Sequence, residues 1–115
     1  MGNKTYHGTS GSRGGDKRRV GDDPKGVQTF LTLDCDGLDP CVMPAVTAPV
    51  SGGLGYWHVV ALFEGLAARG RIAGFDLVEL TPEKDVNGIS ALTAARIVTV
   101  AIGAIGRSKS VSRTF

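Results

Sequence analysis

Two short apolar runs, Val27–Leu33 and Ile72–Glu79, flank a stretch, Tyr56–Arg69, whose apolar residues follow a helical period. That order constrains the fold more than any other feature of the chain. Trp57, Val60, Phe63, Leu66 and Ala67 recur at three- and four-residue intervals, which predicts a helix burying that set. Gly70 ends it. A further run from Ala91 to about Ile105, rich in Ala, Ile and Val, predicts a last helix with Ser90 as its cap. Strand, loop, helix, strand, helix implies two parallel strands joined by a right-handed crossover. The predicted class is α/β, part of a doubly wound parallel sheet, with any ligand at the carboxyl ends of the strands.

Both apolar runs end in carboxylates. Leu33-Asp-Cys-Asp-Gly-Leu-Asp-Pro40 places Asp34, Asp36 and Asp39 within six residues. Strand side chains alternate between faces, so Asp34 and Asp36 are expected to point the same way, roughly 6.6 Å apart along the backbone. Two carboxylates so placed repel unless a cation lies between them, and hard divalent ions favour such oxygens. An Asx-turn at Asp34 with the others serving a loop is the competing reading, because Asp-Gly and Asp-Pro are common turn pairs. Glu79, at the end of the second run, needs a cationic partner or water. Alternation sets it on the opposite face from Asp76, so the two should not act as a pair. Cys35–Gly55 is a long Gly/Pro loop, of a length usually tied to function. His58 is read as a surface or packing residue.

A chain of 115 residues has room for one domain with a modest core. No apolar run approaches the roughly 20 residues that span a bilayer, and no signal peptide is recognisable. A cytoplasmic chain with no membrane partner is therefore expected. Cys35 and Cys41 read as free thiols, without zinc-type spacing. Residues 1–26 hold seven glycines and six basic residues against three acids, with no Leu, Ile, Phe or Trp. Such a leader cannot offset its ordering entropy by apolar burial. Its Lys17-Arg18-Arg19 run reads as solvated, so nucleic acid is not an expected partner. His7 has no companion histidine and receives no role.

The run Thr32–Pro40, then Met43-Pro-Ala-Val-Thr-Ala-Pro49, Gly52-Gly-Leu54 and Gly74-Phe-Asp-Leu-Val-Glu79, resembles the C-terminal part of the ureohydrolases, the arginase, agmatinase and formiminoglutamase group. The resemblance covers about residues 27–107 and leaves 108–115 as a polar tail. It implies half of a three-layer α/β/α domain. It also implies that Asp34 and Asp36 bridge a pair of Mn²⁺ ions, that Asp39 is structural, and that Glu79 lies near a substrate's guanidinium or amidine. The Pro44–Pro49 loop would flank the mouth of the site. Ala45-Val-Thr-Ala48 departs from the Gly-Thr-Gly-Thr type common in agmatinases, which leaves the substrate open among guanidino and amidino compounds.

The family's histidine-bearing metal motifs and its proton-shuttling histidine have no counterpart here, so no catalytic residue is assigned. The expectation is a Mn²⁺-dependent hydrolase by lineage, inactive as an isolated half, that forms homo-oligomers or joins a complementary chain. The alternative is a non-catalytic fragment acting only as an association module.

Overall fold

The computed structural model describes residues 28–110. Val27, the leader with His7 and Lys17-Arg18-Arg19, and residues 111–115 lie outside the described residues. The order is β1 (Gln28–Asp34), a 3-10 turn (Cys35–Gly37), α1 (Tyr56–Arg69), β2 (Arg71–Val78), a second 3-10 turn (Pro82–Lys84) and α2 (Ile89–Ser110). β1 and β2 pair in parallel, from Gln28 opposite Arg71 to Asp34 opposite Val78. The expected α/β arrangement of parallel strands linked through a helix is what the chain adopts.

The register slips once. Thr29 faces Ile72 but Phe30 faces Gly74, which leaves Ala73 as an extra residue in β2. A bulge of this kind resets the alternation of side chains. Ile72, Phe75 and Leu77 therefore join Leu31 and Leu33 in the core, and Asp76 turns outward. Phe30 lies across Gly74, where a Cβ would sit 2.6 Å from the ring. Phe30, Thr32, Asp76 and Val78 are exposed, so among the described residues helices cover one face of the sheet. This is one side of a three-layer arrangement.

α1 buries Val59, Phe63 and Ala67, and α2 buries Ala94, Ile97, Ala101 and Ala104. Phe63 meets Phe75 edge-on, with ring centroids 5.2 Å apart. The stripe predicted for α1 is thus rotated: Trp57 is 75% exposed. Three- and four-residue spacing fits two overlapping sets that share Phe63 and Ala67. Contact with Phe75 and α2 selects the set containing Val59.

α2 begins before its predicted start, and Ser90 is not its cap. Asp85 fills that role, its carboxylate accepting the N–H groups of Ser90 at 2.9 Å and Ala91 at 3.0 Å. Those amides hold the Asp85 carboxyl below its ordinary range. The buried Ser90 hydroxyl instead accepts the N–H of Ala45 at 3.0 Å. Residues 108–110 belong to α2 rather than to a tail. The Ser108 hydroxyl accepts the N–H of Ile72 at 3.0 Å and donates to the carbonyl of Ile105. Contrary to the reading of the sequence, Ile89–Ser108 is long and apolar enough, by length and composition, to cross a membrane. Arg96, Thr99 and Arg107 interrupt the run on its exposed side, and Ser90 and Ser108 lie buried within it. In this fold the buried stripe packs on the sheet and α1.

Candidate metal centre

β1 stops at Asp34 because the chain turns at once into Cys35–Gly37. Asp34 Oδ1 accepts the N–H of Asp36 at 2.9 Å, an Asx-turn that ends the extended backbone. The strand spacing expected between Asp34 and Asp36 is therefore replaced by a tight turn. Cys35 is fully buried between an exposed Asp34 and a half-buried Asp36. Asp36 Oδ1 is buried and is the one such side-chain polar atom without a hydrogen-bond partner among the described residues. Buried polar atoms are nearly always paired, and an orphaned one calls for a missing partner such as an ion. Asp34 and Asp36 together fit a hard divalent cation in donor type. Among the described residues, no group of three or more His, Cys, Asp or Glu is placed to hold a metal.

Burial pushes the Cys35 thiol up to about 11, and the charges of Asp34, Asp36 and Glu79 push the same way. A thiol so raised stays protonated at neutral pH in the metal-free chain. Asp34 and Asp36, at the end of β1, and Glu79, after the end of β2, lie at the same end of the sheet. Register agrees: Asp34 faces Val78, the residue before Glu79.

Asp39 is a staple. Its two oxygens accept the N–H groups of Cys41 and Gly52, each at 2.9 Å, and these amides hold its carboxyl below the usual range. The two ends of the long loop also pair. Asp39 N–H donates to the Leu54 carbonyl and Leu54 N–H donates to the Gly37 carbonyl, both at 2.9 Å. Gly53 makes that approach possible, because a Cβ there would lie 2.6–2.8 Å from backbone atoms of Gly37, Leu38 and Asp39. The predicted structural role of Asp39 has this physical form.

Glu79 leaves β2 with a φ of 67°. A non-glycine residue there carries strain of about 1–3 kcal/mol, of the kind found at functional sites. The next residues are held firmly. Leu80 bridges Val46, Thr81 N–H donates to the Ala45 carbonyl at 2.8 Å, and the hydroxyls of Thr47 and Thr81 lie 3.1 Å apart. With Ser90 on its N–H and Thr81 on its carbonyl, Ala45 fixes the Pro44–Pro49 loop beside Glu79. His58, on the surface, accepts the N–H of Gly55 through Nδ1 at 3.0 Å and so caps α1. Sequence reasoning missed the roles of Ser90 and Asp85. The Asn87-Gly88 turn just after Asp85 was the available signal for a helix start.

The model of the arginase family matches residues 16–103. The chain belongs to the arginase family. Its match begins inside the Gly-rich leader. The N(1)-aminopropylagmatine ureohydrolase of Thermus thermophilus is 41% identical over 81 residues, covering 70% of this chain and 27% of that protein. The formimidoylglutamase of Chromobacterium violaceum is 43% identical over 68 residues, covering 59% and 22%. In three dimensions, the agmatine ureohydrolase of Thermoplasma volcanium matches with a TM-score of 0.62 and 34% identity, covering 72% of this chain and 27% of that one. This arginase-family chain thus spans about a quarter of the length of the relatives it matches. It corresponds to a partial α/β unit of their fold.

Proposed function

We propose that this chain carries one side of a binuclear Mn²⁺ centre that hydrolyses a C–N bond of a guanidino or amidino compound, releasing urea or a related amide. Asp34 and Asp36 hold the metal, and Glu79 meets the cationic head of the substrate. The observation that carries this reading is the orphaned, buried Asp36 Oδ1 beside Asp34 at the end of β1 in an arginase-family chain. Bound Mn²⁺ would supply activation of water and stabilisation of the charge that develops at the reacting carbon.

The chain's own residues do the rest. The Asx-turn of Asp34 holds Asp36 at a fixed offset. Neutral, buried Cys35 backs the pair without adding charge. Glu79 presents a carboxylate suited to the paired N–H groups of an amidinium or guanidinium. The Pro44–Pro49 loop, pinned through Ala45, walls that end of the sheet. Relatives named agmatinase and aminopropylagmatine ureohydrolase make agmatine the first substrate to test, with guanidinobutyrate and other guanidino-alkyl compounds next. Two carboxylates leave most of each ion's coordination to water, so the remaining ligands would come from a complementary segment. The absence of any third ligand near them among the described residues also supports a second reading, a non-catalytic association module. Two unpaired cysteines suit a reducing, cytoplasmic setting.

The test is urea release from agmatine with Mn²⁺, by this chain alone and mixed with the N-terminal portion of the Thermus ureohydrolase. The hydrolase reading expects no urea above a metal-only blank from the chain alone. It expects release from the mixture that Asp36→Asn abolishes. A mixture that forms a complex yet releases no urea would leave the association module standing instead.

A further inference from the structure

Asp85 and Ser90, which tie the start of α2 to the loop beside Glu79, are joined by Val86-Asn87-Gly88-Ile89, and all four of these residues are exposed. Ile89 N–H donates to the Val86 carbonyl at 3.1 Å, with Asn87 at a φ of 54° and Gly88 at 72°. Positive φ at both central residues makes this a type I′ turn, the conformation that Asn-Gly favours. Its one hydrogen bond uses the Ile89 amide. The Gly88 N–H has no acceptor among the described residues, and a Cβ on Gly88 would meet nothing within 4 Å.

That nitrogen is a latent nucleophile beside the side-chain amide of Asn87. Once the turn's bond opens and hydroxide removes the Gly88 amide proton, the nitrogen can attack Cγ of Asn87. A C–N bond forms, and the side-chain nitrogen leaves as ammonia. Water then opens the five-membered imide in one of two ways. Breaking the new bond to Cγ gives aspartate, and breaking the bond to the main-chain carbonyl gives isoaspartate, in which the chain runs through the former side chain. Glycine at position 88 puts no side chain in the path of the attack.

We propose that Asn87-Gly88 is a self-modification site, and that its isoaspartate form releases α2 from Asp85 and loosens the loop beside Glu79. Isoaspartate adds one carbon to the main chain, about 1.5 Å of path. The addition falls between Asp85 and the two amides that its carboxylate caps at 2.9 and 3.0 Å. Such bonds fail when lengthened by more than about 0.5 Å. With the cap lost, the Ser90 hydroxyl is no longer fixed against the Ala45 N–H that it meets at 3.0 Å. Aspartate at position 87 keeps the backbone and only adds negative charge at a helix N-terminus, where it is favourable.

The chain would be aged at pH 8 and followed by peptide mass mapping, with electron-based fragmentation to separate isoaspartate from aspartate. The only other asparagine, Asn3, precedes a lysine and serves as an internal reference. Asn87 is expected to lose its amide first, with isoaspartate accumulating. In that form the amides of Ala45, Ser90 and Ala91 should exchange about tenfold faster, the protection of roughly one hydrogen bond. Asn87→Asp carries the charge alone and should keep their protection. Asn87→Gly accepts the positive φ without the reactive amide and should age unchanged. Four results would each overturn the proposal: Asn87 intact when Asn3 has reacted, an isoaspartate form whose Ala45 exchanges as slowly as in fresh chain, an Asn87→Asp chain as loose as the isoaspartate form, or an Asn87→Gly chain that loosens on ageing.

Discussion

Gly53 and Gly37 lie on facing segments of the same loop closure, and alanine at each should have different consequences. A Cβ at Gly53 would stand 2.6 Å from the Leu38 carbonyl carbon, 2.7 Å from the Asp39 nitrogen and 2.8 Å from the Gly37 carbonyl oxygen. All three are backbone atoms, which cannot turn aside as a side chain would. Ordinary contact begins near 3.5 Å, so the two segments must part by about 1 Å. The hydrogen bonds on either side, Asp39 to Leu54 and Leu54 to Gly37, are both 2.9 Å long. Stretched by about 1 Å they pass out of hydrogen-bonding range. Overpacking of about 1–3 kcal/mol plus about 1 kcal/mol for each of the two weakened bonds gives a loss of roughly 3–5 kcal/mol. At Gly37, a Cβ meets nothing within 4 Å. Gly37→Ala should therefore change stability by no more than about 0.5 kcal/mol. Urea unfolding followed by circular dichroism measures both. With a slope of about 1 kcal/mol/M, Gly53→Ala should lower the midpoint by roughly 3–5 M or leave the chain unfolded in buffer. If the two variants unfold at the same urea concentration, the described closure between 37–39 and 53–54 is wrong.

Ser90→Ala removes the acceptor of the buried Ala45 N–H. It should cost about 1–3 kcal/mol in urea unfolding and speed hydrogen exchange at Ala45, while helix content stays constant because Asp85 still caps α2. Unchanged exchange at Ala45 would show that the Ser90 contact does not hold the loop. In chelator at pH 8, a thiol reagent should label exposed Cys41 first and spare Cys35 until the chain unfolds. The Cys35 thiol is raised from 9.0 to about 11 in the folded chain. Its contribution to stability is therefore complete below pH 9 and lost as pH rises through about 11. A Cys35→Ser variant should show less alkaline destabilisation between those values, and an identical pH profile would contradict the burial assigned to this thiol.

The strand–helix–strand order was legible because apolar periodicity and the glycine at position 70 mark element type and ends directly. Which residues face inward was less so. Trp57 and Val59 satisfy the same helical spacing, and the choice between them depends on Phe75, 16 residues beyond Val59 in sequence. The slip at Ala73 also escapes a reading by alternation, because a bulge leaves no mark in hydropathy. Asp34 and Asp36 were legible as a pair, but their spacing was not, since an Asx-turn ends β1 at Asp34. The solitary Oδ1 of Asp36 and the pinning of Ala45 by Ser90 and Thr81 are products of tertiary packing. No local pattern announces them.

The central claim is that Asp34 and Asp36 form the metal locus, and Mn²⁺ relaxation of backbone amide signals tests it most directly. The Coulomb attraction of one divalent ion to two carboxylates is only a few kcal/mol in water, so binding in the millimolar range is expected. Titrated Mn²⁺ should broaden the amides of Cys35 to Leu38 first, and Asp36→Asn should abolish that broadening while leaving the rest of the spectrum in place. Broadening centred instead on Glu83 and Asp85, or unchanged by Asp36→Asn, would contradict the account.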